Sequence, residues 1–292
     1  MSLPYALLIA PVDHDADRDG FDDTFVSVAP STPVLPLDDD GVLRGDAVFE
    51  TLGVVDGHAQ DVEAHLARLD HSSRLCDLPR PNAAQWRAAI ARVAAECPAG
   101  ESAIRLVLSR GRGSGPTAWI VANPALDNGP ARTTGIRVVT LDRGLDSGAA
   151  ARAPWLLLGA KTQSYAVNMA ALREAHRRDA DDVVFVSSDG VLMEGPTSSV
   201  VLRIRGHFRT PRHTTGILRG TTQLALFAHL AAEGVGTAEE DLSVDDLRNA
   251  DAAWLLSSVR LAAPIRAVDG APRPVDADLT AALNAALLRP RS

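Results

Sequence analysis

This sequence predicts an α+β fold in two unequal parts, and three observations predict it. Short runs of β-branched and aliphatic residues, such as TFVSVA (24–29) and AVFETLGVV (47–55), alternate with stretches whose apolar residues recur at helical spacing. The polar, Gly- and Pro-bearing stretch DNGPARTT at 127–134 interrupts that alternation once. The length, 292 residues, is long for one core and short for three. The expected division is a first domain over 1–126 with 1–23 as a peripheral extension, a linker at 127–134, and a second domain over 135–292.

The elements follow in order. DHDADRDGFDD near the start is mostly charge and reads as a solvated acidic turn. Asp15, Asp17, Asp19 and Gly20 imitate a calcium loop, but its twelfth position needs a bidentate Glu and holds Val26, so no metal site is expected. After the strands at 24–29 and 47–55, DG at 56–57 marks a hairpin turn. Residues 62–78 place Val62, Leu66, Leu69 and Leu75 near helical spacing, and AAQWRAAIARVAAEC (83–97) is a second helix. SAIRLVLSRG and TAWIVANPAL are strands joined by the glycine-rich RGRGSGP. In the second part, GIRVVTL and the apolar WLLLGA read as strands, and AVNMAALREAHRRD as a helix. DDVVFVSSDGVLMEGPTSSVVLRI reads as three short strands with a turn at 188–190. GILRGTTQLALFAHLAAEG is a helix with Thr214 and Thr215 as candidate caps and Gly234 as its stop, and AAWLLSSV is a buried strand.

Composition narrows the function. Hydrophobic content of 46% and charged content of 23% fit a soluble globular protein. No apolar run reaches membrane-spanning length, and the N-terminus lacks a basic leader, so neither a membrane anchor nor a signal peptide is expected. Cys76 and Cys97 are too few for a disulfide framework, which points to a reducing cytoplasm. A net charge of −8 argues against a nucleic-acid partner.

Lys161 is the only lysine among 29 basic residues. Coding bias accounts for the abundant arginine. Arginine replaces lysine wherever only charge is needed, but it cannot supply an amine that loses its proton and attacks a carbonyl. A surface lysine that merely survived is the alternative. The use that suits such an amine is Schiff-base chemistry with pyridoxal phosphate. That cofactor also asks for a carboxylate on its ring nitrogen, anion-binding backbone at a helix N-terminus, and an arginine on its phosphate. Glu194, Gly216-Ile217-Leu218 and Arg68 are candidates in that order, although each alone reads as a turn residue, a capped helix and a surface ion pair.

Taken together, the motifs resemble the class IV aminotransferases, the fold-type IV pyridoxal phosphate enzymes. RGDAVFETL (44–52), HLARL (65–69), SRG (109–111), AKTQSYAVN (160–168), DGVLMEG (189–195), GILRG (216–220) and LLSS (255–258) occur in the family's order. The resemblance implies a D-amino-acid-aminotransferase-like fold, with a small N-terminal α/β domain, a larger C-terminal cofactor-binding domain, and a homodimer. It also implies that Lys161 holds the cofactor and shuttles the proton, and that Glu194 meets the ring nitrogen. Arg68, the backbone of Ile217 and Leu218, and Ser257 and Ser258 would hold the phosphate. Val259 stands where many members have Thr, which puts that hydroxyl contact in doubt.

The reaction should be set by the substrate side. The D-amino-acid enzymes use a Tyr before the motif Glu and an Arg-x-His after the SRG turn. Here Phe49 and Gly115-Pro116-Thr117 stand at those places. The glycine-rich SRGRGSG (109–115) looks like the turn of the 4-amino-4-deoxychorismate lyases, which release pyruvate and leave 4-aminobenzoate for folate biosynthesis. That lyase is the leading expectation, and a transaminase of D-amino acids, branched-chain amino acids or amines is the second. Arg110 and Arg112 are candidate carboxylate partners, or simply part of a solvated basic hairpin. Phe49, Thr51 and Tyr165 are candidate substrate contacts. Tyr165, four residues after Lys161, would share a helix face with it if the segment were helical, with core packing as its alternative.

Overall fold

The computed structural model describes residues 4–113 and 115–291, which form two compact units. The first unit runs to Leu126 and also takes in Ala160–Tyr165 and the chain end from Pro290. Its elements are β1 (Tyr5–Ile9), β2 (Phe25–Val28), α1 (Asp40–Arg44), β3 (Ala47–Val55), β4 (His58–Ala59), α2 (Val62–Leu75), α3 (Ala83–Ala95), β5 (Glu101–Ser109) and β6 (Thr117–Pro124). The strands form one antiparallel sheet in the order β2-β1-β6-β5-β3-β4. The hairpin at Asp56-Gly57 has φ of 48° and 79° at its two turn residues, the left-handed pair that a tight β-turn of this kind needs.

Strand periodicity splits this sheet into two faces. Leu7, Leu52, Ile104, Leu106, Leu108 and Ile120 are fully buried on one, with Leu69 of α2 and with Trp86 and Ile90 of α3. Phe49, Thr51, Arg105, Val107 and Trp119 alternate with them and occupy the other. The expectation that 1–23 is peripheral fails for its first strand: β1 lies between β2 and β6, and Leu7 is fully buried. The apolar run YALLI is short, but it supplies a central row of the sheet.

The second unit holds α4 (Gly129–Thr133), β7 (Ile136–Asp142), α5 (Ala149–Arg152), α6 (Ala166–Arg177), β8 (Asp182–Val186), β9 (Ser199–Ile204), β10 (His207–Pro211) and α7 (Thr221–Ala232). It continues with β11 (Thr237–Glu240), α8 (Val244–Asn249), β12 (Ala252–Ser257), β13 (Leu261–Val268), β14 (Ala271–Pro272) and α9 (Ala277–Leu288). Its strand order is β11-β10-β9-β12-β13-β7-β8, with β14 on β13. Trp254 is fully buried beside Leu226, Leu230, Leu283 and Leu287 of α7 and α9, and its indole N–H donates to Thr280 Oγ1 at 2.9 Å. Val184, Leu192, Leu202, Leu247 and Leu255 form a second cluster with α8.

Several local expectations need correcting. The stretch read as a linker contains α4, whose Arg132 donates to the carbonyls of Val259 and Arg260. WLLLGA is not a strand: Pro154–Leu156 is a 3-10 turn, Leu157 has φ 52°, and Trp155 is 75% exposed. Apolar composition without a buried surface to meet could not make it one. The middle strand of 181–204 reduces to hydrogen bonds between Phe185 and the Met193–Glu194 segment. The GILRG stretch does not open a helix. Gly216 ends a 3-10 turn at φ 87°, and α7 begins only at Thr221 after the N-cap Gly220.

Candidate active site

In the first unit, residues 161–163 lie beside β3 as a short antiparallel partner. Phe49 N–H donates to Lys161 O at 3.0 Å, Gln163 N–H donates to Ala47 O at 2.8 Å, and Val48 faces Thr162. Lys161 is therefore not on a helix, and the shared helix face with Tyr165 is corrected: α6 starts only at Ala166. Both residues converge on Phe49 instead. Lys161 Nζ lies 4.5 Å from the Phe49 ring centroid, and the Tyr165 ring meets it edge-on at 5.3 Å. An aromatic ring beside the amine removes water from part of its surroundings and attracts its cationic form. Ser72 Oγ of α2 accepts the Lys161 backbone N–H at 3.1 Å.

Glycine at 45 makes this seating possible. A Cβ there would stand 2.9 Å from Ser164 Oγ and 3.3 Å from the Ser164 backbone, and the residue has φ 71°.

The alternation of β3 sends Glu50 to the helix-covered face while Phe49 and Thr51 stay with Lys161. Glu50 is fully buried. It accepts Arg68 Nε at Oε1 and Arg68 Nη2 at Oε2, both at 2.7 Å, and His65 Nδ1 at Oε2, also at 2.7 Å. Burial alone would raise the Glu50 pKa, but the charge and hydrogen bonds of Arg68, with the His65 bond, hold it far below the usual carboxylate range. An ionised carboxylate cannot donate, so His65 Nδ1 carries the proton. Burial keeps His65 neutral.

One residue that sequence reasoning missed stands on the Phe49 face. Arg105 lies opposite Thr51 in the register of β3 and β5, and its guanidinium carbon is 3.9 Å from the Phe49 centroid. The residue is exposed overall, yet desolvation of its guanidinium lowers its pKa. Among the described residues no carboxylate pairs with it. The available signal was period-two spacing from Ser109 back along SAIRLVLS, which becomes informative only once β5 is registered against β3.

The glycine-rich turn also differs from expectation. Arg110 does not point to a free anion. Its Nε and Nη2 bind Asp46 at 2.5 and 3.2 Å, Nη2 also donates to Cys76 O at 2.7 Å, and Nη1 donates to Asp77 O at 3.0 Å. Those acceptors occupy four of its five N–H donors and make Arg110 a brace. Arg112 is exposed on the turn, and Ser114 lies outside the described residues. Burial pushes the Cys76 thiol up to about 11, so it supplies no thiolate at neutral pH.

In the second unit, Glu194 Oε2 accepts the Leu218 N–H at 3.2 Å. The Ile217 side chain is buried with Met193 and Phe185. Asn168 Nδ2 donates to Pro196 O at 2.6 Å. At the start of α7 no side chain caps the helix, and Thr221 and Thr222 hydroxyls lie 3.4 and 3.3 Å from Ser258 Oγ. A Cβ on Gly220 would come within 2.2 Å of Ser199 Oγ, so only glycine fits there. A helix N-terminus ringed by hydroxyls suits an oxyanion. Ser257 and Ser258 are half-buried at the end of β12 beside it. Among the described residues no cluster of His, Cys, Asp and Glu could hold a metal ion, and no helix is long and apolar enough to cross a membrane.

The donor set therefore fits pyridoxal phosphate in kind: one lysine amine, a carboxylate held by a backbone N–H, an oriented arginine and an uncapped helix start with hydroxyls. Comparison with known proteins agrees. The class IV amino-transferase family model matches residues 47–268. A bifunctional aminodeoxychorismate lyase / D-amino acid transaminase of Mycobacterium tuberculosis is 46% identical over 263 residues, 84% of this chain and 89% of that protein. A fold IV transaminase structure from Curtobacterium pusillum superposes with a TM-score of 0.92 at 47% identity, over 98% of this chain and 99% of that one. The PLP-bound structure of a hypothetical aminotransferase from Mycobacterium tuberculosis gives 0.87 at 44% identity, over 90% and 96%. With the motif order, the two-unit α+β architecture and these likenesses in agreement, the chain belongs to the class IV aminotransferases, pyridoxal phosphate-dependent enzymes whose relatives include both transaminases and lyases.

Proposed function

We propose that the chain is a 4-amino-4-deoxychorismate lyase that also transaminates D-amino acids. The observation that carries this is the Phe49 face of the first unit. The tyrosine of the D-amino-acid carboxylate trap is replaced by Phe49, and Gly115-Pro116-Thr117 stands where its Arg-x-His would be. Arg105 lies on the same ring as Lys161. The bifunctional name of the 46%-identical relative supports both activities, and the Curtobacterium transaminase favours the second.

In this reading, bound pyridoxal phosphate supplies an electron sink for the negative charge left when a substrate C–H bond is broken. The rest falls to the protein. Lys161 Nζ would hold the cofactor and carry the substrate proton off and back. The Phe49 ring excludes water on one side of that amine. Glu194, its orientation fixed by the Leu218 N–H, would keep a proton on the cofactor ring nitrogen. Arg68, aligned by Glu50 and His65, would hold the phosphate, as would the Ile217–Leu218 backbone leading into α7 and the hydroxyls of Ser257 and Ser258. Arg105 and the exposed Arg112 bind substrate carboxylates, with Thr51 and Tyr165 alongside. A bidentate guanidinium matches a carboxylate in shape as well as charge.

A homodimer, which the resemblance to the family implies, belongs to the same reading. A role in folate biosynthesis in the cytoplasm completes the reading. The test is to supply cofactor-loaded protein with 4-amino-4-deoxychorismate, or with D-alanine and 2-oxoglutarate, and compare initial rates. Faster 4-aminobenzoate than glutamate release is expected. Absence of 4-aminobenzoate would leave the transaminase alone.

A further inference from the structure

Asp39 is fully buried in the first unit and belongs to no part of the chemistry above. It is the N-cap of α1, where its Oδ1 accepts the Gly41 N–H at 2.8 Å. The same carboxylate also accepts Ser109 Oγ at Oδ1 and Thr117 Oγ1 at Oδ2, both at 2.5 Å. Ser109 and Thr117 are the last registered pair of β5 and β6, the two feet of the glycine-rich turn. Ser109 Oγ in turn accepts the N–H groups of Gly41 and Gly111 at 3.1 and 3.2 Å. Gly41 has no room for a side chain, since a Cβ would stand 2.4 Å from Ser109 Oγ. Burial would raise the Asp39 pKa, but the Ser109, Thr117 and Gly41 hydrogen bonds outweigh it and keep the group ionised. A five-residue helix needs no buried, triply bonded carboxylate merely to be capped. Two of the three bonds serve the turn.

We propose that Asp39 is the positioning residue of the substrate-binding turn: by holding Ser109 and Thr117 together it fixes the path of residues 110–113, which carry Arg112 toward a substrate carboxylate. This rests on the proposed substrate role of that turn. Asp46 braces the adjacent Arg110 from the same α1–β3 segment, so both anchors of the turn come from one stretch of eight residues, 39–46.

The test uses holoenzyme with Asp39→Ala, Thr117→Val and Arg112→Ala, and reads kcat and KM separately along with amide hydrogen exchange. Charge-assisted hydrogen bonds of this kind are each worth enough that Asp39→Ala should raise KM for a carboxylate substrate about tenfold. It should leave kcat and cofactor absorbance within about twofold and speed exchange at 110–113 while β3 and β6 stay protected. Thr117→Val should move KM and exchange in the same direction by a smaller factor, and it keeps the question open to test should Asp39→Ala fail to fold. Equal loss of kcat and KM in both variants, or unchanged exchange in the turn, would overturn the proposal. If Arg112→Ala raises KM and neither bracing variant does, the positioning role is wrong while the turn's substrate role stands. If Arg112→Ala also leaves KM unchanged, the substrate role of the turn is wrong and the positioning proposal goes with it.

Discussion

Arg68 and Glu50 are joined by two parallel hydrogen bonds of 2.7 Å across a carboxylate with no solvent exposure. The pair links helix α2 to the strand whose next residue on either side faces Lys161. An arginine held this way keeps one orientation whether or not an anion is present, which is what a preorganised phosphate ligand requires.

Glu50→Gln should therefore weaken cofactor affinity about tenfold and cost about 3 kcal/mol of stability at neutral pH, because it leaves Arg68 without its counter-charge. The pH dependence has a definite sign. A carboxylate whose folded pKa is depressed contributes stability above the unfolded value of about 4.3, and that contribution drains away as pH falls toward the folded pKa. The wild-type melting temperature should thus fall more steeply than the variant's between about pH 5 and pH 3. Parallel curves would refute the assignment.

Lys161→Arg should fold and melt like the wild type, because the Lys161 backbone bonds to Phe49 and Ser72 do not involve the side chain. Turnover should drop on the order of a thousandfold or more, the scale seen when a reacting group rather than a binding contact is lost. Activity within tenfold of wild type would remove the lysine from the chemistry.

Arg105→Leu tests the residue that the sequence alone did not single out. Loss of one charge-assisted contact predicts kcat/KM lower by about 10- to 100-fold for a carboxylate-bearing substrate, with cofactor still bound. Competition by a simple dicarboxylate, read from the cofactor absorbance, should weaken to the same extent. No change in either would return Arg105 to the role of an aromatic packing partner.

Arg110→Ala should behave differently from its neighbours. Its guanidinium holds Asp46 and two carbonyls, so removing it should cost about 1–2 kcal/mol of stability and alter KM less than kcat/KM changes in the Arg105 variant. A KM effect as large as that of Arg112→Ala would restore it to the substrate side.

The contrast between Arg105 and Arg110 shows what could be read from the chain. Local signals carried far: the turn at Asp56-Gly57 and the helix over 62–75 both followed from residue chemistry and spacing. What failed depended on partners distant in sequence. Arg110 looked available because Asp46 and the 76–77 carbonyls are far from it along the chain, and Arg105 was not singled out because its place opposite Thr51 exists only in the folded sheet. WLLLGA and GILRG were misread for a related reason. An apolar run signals a strand, and a Thr-rich lead a helix cap, only if the backbone is free to comply, and the left-handed turns at Leu157 and Gly216 redirect it.

Position 45 has a consequence for how enzymes of this kind lose function. A single methyl group there would press on Ser164 and tilt the strip of chain that presents the amine, while every acid, base and cation of the centre stayed in the sequence. A descendant carrying such a change would pass any inspection of its reactive residues while the seat of its amine is strained. Ancestry can thus be intact where competence is gone, and the silent residue to inspect first is one with no side chain at all.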